Sequence, residues 1–567
     1  MVSESFVGGQ YRNTDRPTMF SIGSGPLHNE LISWIKKGDP LSPFLFLLVM
    51  EALSSIFYKA GLERFLKDIQ APKDGPIISH LFYADYALIL GEWDRDNVTN
   101  VARCLRIFYL CSGLKINLHK SNLYRLGVEN GDIKDMANVI GCNTGNIPLS
   151  YLGITVGANM NRINNWDPIV EVFDKRLSVW KAKTMFIGGR LTFINSVLES
   201  LPIYYFSFYK ALVGIIKNLE AKMRKFLWVG SNDNSKMNWV AWDWVTWPKK
   251  KRGLGISRLK EVNEALLYKW GWRYRVETQS LWRKVYAGCW NNIVKLVSKL
   301  NLNGKRLNRV ILGKVGNGDD IRFWIDTWMG DLPFAERWPH LFTLESFKSC
   351  RVSERIDSGQ GNGVFAWNLV RHPETDTELK EWHECKEAVN MVRLSNDRDS
   401  WIWNINGQDG FSVNSVKKTL IHDRGNNQLP NFKWCKWVPI KCNIMAWRGN
   451  LDRLAAKVNL RRRNVEIASV MCPFCDEYEE SVDHLFTACS VAIRVWTAIN
   501  VWCKIPPIFA FEFKDLLDTQ KFFPWGEKCK KDHQWTDYYL VLVYMEKQER
   551  VGFQADQEKL RDNQLSC

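Results

Sequence analysis

The sequence predicts an α+β protein assembled from several successive segments. Three observations carry this reading. Helix-period apolar stretches alternate with short apolar runs broken by turn residues, so helices and strands share one layer rather than separating into classes. At 567 residues, with 46% hydrophobic and 24% charged, the chain has a globular balance and enough length for a large core. A prior of about 150 residues per domain divides it into three or four units.

Residues 42–66 carry an apolar, helix-length pattern opened by Pro43, a residue suited to a first helical turn. A Pro/Gly-rich break at Pro72 to Pro76 follows. Within Ile77 to Leu90, two short apolar runs flank Ala84-Asp85-Tyr86, which predicts a β-hairpin with an acidic residue near its tip. Residues 96–112 place Val98, Val101, Leu105 and Phe108 at near-helical spacing, and Gly113 stops that helix. From about 166 to 300 the pattern is helical and rich in Lys and Trp. Residues 305–410 are loop-rich, with Gly316 to Asp320 and Gly359 to Gly363 as turn clusters. No strand and helix flank these glycines as a phosphate loop requires. Residues 411–500 form a compact unit with its own cysteine cluster. Beyond about 505 the pattern fades, and Lys528 to Lys531 with the polar end Glu546 to Gln564 predict a loosely ordered tail.

Net charge is +16 and the isoelectric point about 9.1, which favours a polyanionic partner. The excess is local: residues 173–275 hold 20 Lys plus Arg against 7 Asp plus Glu, and nine tryptophans lie between Trp228 and Trp290. Phosphate neutralisation combined with aromatic stacking suits single-stranded or hybrid nucleic acid. A solvated basic face over a Trp-rich core accounts for the same residues.

Met1 to Arg16 is polar and lacks the apolar core of a secretory signal. The best apolar run, Leu41 to Met50, ends at Glu51, short of a bilayer span, and the run Ile203 to Ile216 is split by Lys210. Fourteen cysteines without a secretory signal point to reduced thiols or metal ligands. The expectation is a soluble intracellular protein of nucleus or cytoplasm, with no membrane partner and an open oligomeric state.

Cys472, Cys475, His484 and Cys489 follow the pattern C-x2-C-x8-H-x4-C. A CxxC turn chelates one face of Zn²⁺, and a His and a Cys on the following helix close a tetrahedron. Four protein ligands leave no open position, so the predicted role is structural, and such modules often fold only with metal bound. Arg461 to Arg463 and Lys433 to Lys441 add positive charge nearby.

Further motifs carry a resemblance. Lys37-Gly38-Asp39-Pro40 before the apolar helix resembles the template-grip motif of reverse transcriptases, with Lys37 where relatives have Gln. Phe82 to Tyr86 resembles their aromatic-Ala-Asp-Asp signature. Gly113 to Ser121 resembles the segment after it, with Lys120 at the position of a proposed proton donor. Tyr151-Leu152-Gly153 resembles the primer-grip turn. Gly188 to Leu191, Asn195 to Leu198 and Asn263 to Arg273 resemble the family's thumb, and Phe323 to Trp328 with Gly410 to Val413 its connector. Four motifs in order within about 120 residues do not arise by accident. The chain thus resembles the reverse transcriptase of plant LINE-type (non-LTR) retrotransposons over roughly residues 36–500. That resemblance implies partial fingers and palm over 1–160, a helical thumb-like region over 161–300, a connector over 301–410, a zinc-binding domain over 411–503 and an atypical tail over 504–567. It also implies an RNA template and a DNA primer as partners.

Nucleotidyl transfer in this family uses two Mg²⁺ ions held by carboxylates from an early Asp motif and a tandem Asp pair. Here Asp85 remains, but Tyr86 replaces its neighbour, and a neutral phenol is a poor substitute for a carboxylate. Upstream, Asp15 lies in a polar turn, and Arg16 to Ile22 resembles the strands after the missing aspartate. With one carboxylate of an expected three, the predicted state is a catalytically degenerate relic. The alternative is a non-enzymatic nucleic-acid-binding zinc protein.

Overall fold

The computed structural model describes residues 17–23, 28–29, 40–71, 75–84, 86–126, 133–177, 185–228, 237–285, 289–302, 304–356, 367–405, 410–425, 429–436, 438–503 and 506–518. Helices and small sheets are mixed throughout, the α+β class expected. The chain forms two compact units, each discontinuous: residues 1–165 with 267–415, and residues 166–266 with 416–567.

In the first unit, the chain runs through β1 (Pro17–Gly23), α1 (Ser42–Leu62), β2 (His80–Tyr83), β3 (Tyr86–Glu92), α2 (Arg95–Ser112), β4 (Asn122–Arg125), α3 (Ile133–Ile140), β5 (Asn143–Thr144), β6 (Leu149–Tyr151) and β7 (Ile154–Val156). The main sheet has the order β2-β3-β1-β4-β5, antiparallel except for the parallel β4–β5 pair. Successive side chains of a strand point to opposite faces. Ala87 and Ile89 of β3 accordingly pack with Leu53 and Phe57 of α1 and Val98, Val101 and Phe108 of α2. Leu88 and Leu90 pack on the other face with Ile69, Ile78, Tyr124 and Leu149. Buried on both sides, β3 is the strand least free to slip.

Asp94 caps α2, accepting the Asp96 N–H, and Gly113 ends it at φ 70°, the left-handed stop that glycine adopts without strain. The apolar helix expected over residues 42–66 forms, and Glu51, read as the end of a run too short for a bilayer, does not interrupt it. One continuous helix runs to Leu62, because a single glutamate neither breaks helical geometry nor interrupts the pattern. By length and composition alone, with a mean hydropathy of 1.6, that helix is long and apolar enough to cross a membrane.

The rest of this unit buries Phe323, Trp324, Phe334, Trp338 and Leu341 with Cys350, Val352 and Cys385. The turn cluster at Gly316 is held from a distance. Asp399, just before the strand Ser400–Trp403, accepts the N–H groups of Gly316 (2.7 Å) and Gly318 (2.9 Å) on Oδ1, and those of Asp320 (2.8 Å) and Ile321 (3.2 Å) on Oδ2. Asp399→Ala strands four amides, and is expected to cost about 2–4 kcal/mol of unit stability, measured by denaturant unfolding. A change below about 0.5 kcal/mol, the range of an ordinary surface substitution, would sink this account. The second cluster, Gly359 to Gly363, lies outside the described residues.

The second unit packs Trp166, Phe173, Phe206, Leu219, Met223 and Leu227 in its interior, all fully or nearly fully buried. Two of its buried polar side chains each tie several groups together. Asn263 donates to the carbonyls of Phe206 (3.0 Å) and Tyr209 (2.8 Å) and accepts the Ala211 N–H (2.9 Å). Glu220 accepts the Leu259 N–H (2.9 Å) and the Trp242 indole N–H (3.1 Å). The two stretches of this unit are joined by direct contacts. Trp447 donates its indole N–H to the Arg252 carbonyl at 2.7 Å, and the Arg424 guanidinium lies 4.4 Å over the Trp247 ring. Past residue 505, where the sequence pattern fades, the helix Phe513–Asp518 buries Phe513 and Leu516, the Phe513 ring 5.3 Å from that of Phe486. An apolar pair at i, i+3 suffices to dock one helical turn. The Lys528 and Glu546 segments lie outside the described residues.

Candidate functional site

The metal centre grows from a short loop closed on itself. The Cys472 N–H donates to the Tyr478 carbonyl at 2.8 Å and the Asp476 N–H to the Cys472 carbonyl at 2.9 Å, with Asp476 at φ 54° making the return. In that loop the N–H groups of Phe474 and Cys475 aim at the Cys472 sulfur, and those of Glu477 and Tyr478 at the Cys475 sulfur. The other two donors sit at the ends of one widened helical turn, His484–Ala488, where the Cys489 N–H donates to the His484 carbonyl at 2.8 Å. Ser481 Oγ accepts the His484 N–H at 3.0 Å.

Folding brings all four donor atoms within 4.8 Å of one another. Cys472 Sγ lies 4.0 Å from Cys489 Sγ, and Cys475 Sγ 3.3 Å from His484 Nε2. A tetrahedron with Zn–S of about 2.3 Å and Zn–N of about 2.0 Å needs donors about 3.5–3.8 Å apart, so these residues fit zinc. Burial pushes the Cys472 thiol up to about 12. The Glu477 N–H, helped by other donors, holds Cys475 below the ordinary thiol value. Burial lowers His484, leaving the neutral imidazole a ligand requires. Cys472, Val482, Phe486, Cys489, Ala492 and Trp496 share one core, so the metal site is part of the packing. Among the described residues, no other group of three or more His, Cys, Asp or Glu gathers in this way.

The other motif residues lie in the first unit. Tyr83 pairs with Tyr86 across β2 and β3, so the chain turns tightly between them. Such turns favour positive φ, and Ala84 adopts 49°. Asp85 itself lies outside the described residues. Tyr86 begins β3 opposite Gly23 of β1, partly exposed. The β6–β7 hairpin obeys the same rule: Tyr151 pairs with Ile154, and Leu152 and Gly153 turn at φ 51° and 76°. The fold brings these two motifs together, since the Tyr86 and Tyr151 rings meet edge to face at 6.1 Å. Lys120 ends an exposed single turn, Leu118–Lys120, its N–H accepted by the Asn117 side chain at 3.2 Å. Pro40 is exposed before α1, while Gly38 and Asp39 lie outside the described residues.

The basic, Trp-rich stretch is largely packing. Trp242, Trp247 and Trp270 are buried, with cations over their faces: Arg224 over Trp242, Lys251 over Trp247 and Arg273 over Trp270. Sequence reading passed over one other arrangement. Trp239, Trp244 and Arg453 meet Arg462 and Arg463 around a cleft in the second unit. Only the Arg run was legible beforehand, because the cleft's two sides are more than 200 residues apart.

Comparison with known proteins fits this geometry. The family described as zinc-binding in reverse transcriptase matches residues 411–496, which contain all four metal-site donors. This match and the relatives below support a retrotransposon-type protein related to reverse transcriptases. The chain is 28% identical over 409 residues to an Arabidopsis thaliana protein named as a putative ribonuclease H protein, covering 68% of this chain and 63% of that one. It is 35% identical over 97 residues to an uncharacterized mitochondrial protein of the same plant, 16% of this chain and 75% of that one. With an uncharacterized Transposon TX1 protein of Xenopus laevis it shares 24% identity over 230 residues, 39% of this chain and 16% of that one. The chain thus spans just under two thirds of the first of these relatives.

Proposed function

We propose that this chain is the reverse-transcriptase portion of a plant LINE-type (non-LTR) retrotransposon that has lost nucleotidyl transfer while keeping nucleic-acid binding and a structural zinc. Tyr86 carries the reading. It occupies the position after Asp85 at the start of β3, where the tandem signature calls for a second carboxylate, and its ring rests against Tyr151 of the primer-grip-like turn. Mg²⁺ requires hard oxygen ligands in near-octahedral array, and a phenol at this point does not fit that set. In this reading, the β2–β3 and β6–β7 hairpins belong to a palm, α1 supports the template side, and the partners are an RNA template and a DNA primer. The protein works inside the cell, in nucleus or cytoplasm, where those partners are found.

Primer extension on an RNA template with Mg²⁺ tests this. The purified chain is expected to give no product above that of Asp85→Ala. Extension that disappears in Asp85→Ala would overturn the proposal. Binding to nucleic acid, resting on phosphate neutralisation, is expected to weaken steeply with salt.

A further inference from the structure

The second unit contains a cleft of about 400 Å³, lined by Trp239, Trp244, Arg453, Arg462 and Arg463 with small and amide side chains between them. Among the described residues, no carboxylate lines it. The nearby Asp452 is engaged by Arg462 at 2.9 Å and by the Asn459 amide at 2.8 Å. Among the described residues, Arg453 and Arg463 have no acidic partner. Arg463 donates to the Asn238 (2.9 Å) and Trp239 (2.7 Å) carbonyls, and Arg453 makes only a long contact to the Asp452 carbonyl at 3.4 Å. These two cations are close enough for Arg453 to oppose the charge on Arg463, adding to the effect of burial. A fold that holds like charges together without a counter-charge leaves a site for an anion.

The aromatic side is equally specific. Trp239 is fixed between two guanidiniums, Arg448 and Arg463, each 5.0 Å from the ring. Trp244 is half-buried in the cleft wall and, among the described residues, has neither a ring nor a cation against its face. Guanidiniums beside an unoccupied indole match a nucleotide, with phosphate on the arginines and base on the ring. The volume is that of a single-ligand site, too small for a duplex. Resting on the reading of this chain as nucleic-acid-binding, we infer that this cleft seats one nucleotide of a single-stranded nucleic acid, its phosphodiester on Arg453 and Arg463 and its base on Trp244.

The test uses the full zinc-loaded chain and fluorescein-labelled single strands of about 12 nucleotides, RNA and DNA, titrated by anisotropy at several salt concentrations. Arg453→Gln, whose side chain holds no other element, is expected to weaken binding about tenfold and to lower the salt slope by about one ion. Trp244→Leu is expected to weaken it by a similar factor at unchanged slope, since stacking releases no counterion. Arg461→Gln removes the same charge from a residue paired with Glu479 outside the cleft, and is expected to change affinity less than twofold. Melting temperature and zinc content check that the variants fold. If the chain binds single strands and both Arg453→Gln and Trp244→Leu bind like wild type, the cleft assignment is wrong while nucleic-acid binding stands. A wild-type chain that binds neither strand even at low salt overturns the underlying reading as well.

Discussion

Removing zinc from the purified chain, or replacing Cys489 by Ser, is expected to unfold the segment from Val438 to Leu516. The cause is the position of the ligands inside the core. Cys472 and Cys489 are themselves buried, packed with Val482, Phe486, Ala492 and Trp496. Without the metal's charge to hold them, three thiols and an imidazole are left gathered in that interior. Structural zinc in comparable modules contributes about 10–16 kcal/mol, as much as the total stability of an ordinary domain, about 5–15 kcal/mol. Loss of one thiolate is expected to forfeit enough of this for limited proteolysis to cut near Cys472 in the variant and in the chelated protein, but not in the zinc-loaded wild type. Stoichiometry is expected at one zinc per chain. Equal protease resistance with and without metal would show that packing alone holds the module.

Gly253→Ala is expected to cost about 3–5 kcal/mol, or to abolish accumulation of folded chain. A Cβ at this position would meet the Trp247 carbonyl oxygen at 2.1 Å, and backbone cannot rotate away as a side chain can. The turn has little room to yield. The Gly253 N–H donates to the Pro248 carbonyl at 3.1 Å, the Gly255 N–H to Trp247 at 2.8 Å, and the Leu254 N–H to Val245 at 3.2 Å. Moving Trp247 would also shift its ring from under Arg424 and disturb the Arg252 carbonyl that accepts the Trp447 indole. Gly214→Ala is the control. No neighbour lies within 4 Å of its Cβ and the residue is helical, so it is expected to be neutral or to stabilise by up to about 1 kcal/mol. Denaturant unfolding of the two variants separates the cases, and similar midpoints would refute the steric argument.

What the sequence made legible was local. The zinc ligands span only residues 472–489, so spacing alone proposed the cluster that folding closes. Residues 96–112 were readable as a helix because periodicity and the stop at Gly113 both lie inside it. The two hairpin turns were marked by their own residues. Illegible were the pairings between distant segments. Nothing local to Pro17–Gly23 says that it lies between β3 and β4. Asp399 gives no sign that it will collect amides some eighty residues earlier. The tryptophans illustrate the limit most clearly, since a count of aromatic and basic residues reads alike for a binding face and for a core. Only burial separates Trp242 and Trp247, which pack inside, from Trp244, which faces a cleft.

The discontinuity of the second unit has a consequence for biosynthesis. Residues 166–266 emerge from the ribosome 150 residues before 416, where the other half of their unit begins (416 − 266 = 150). At about 5–20 residues per second, this is an interval of roughly 10–30 s. Throughout it Trp247 awaits Arg424, and the Arg252 carbonyl awaits Trp447. The nascent chain therefore carries a half-finished aromatic surface while an entire inserted stretch is translated.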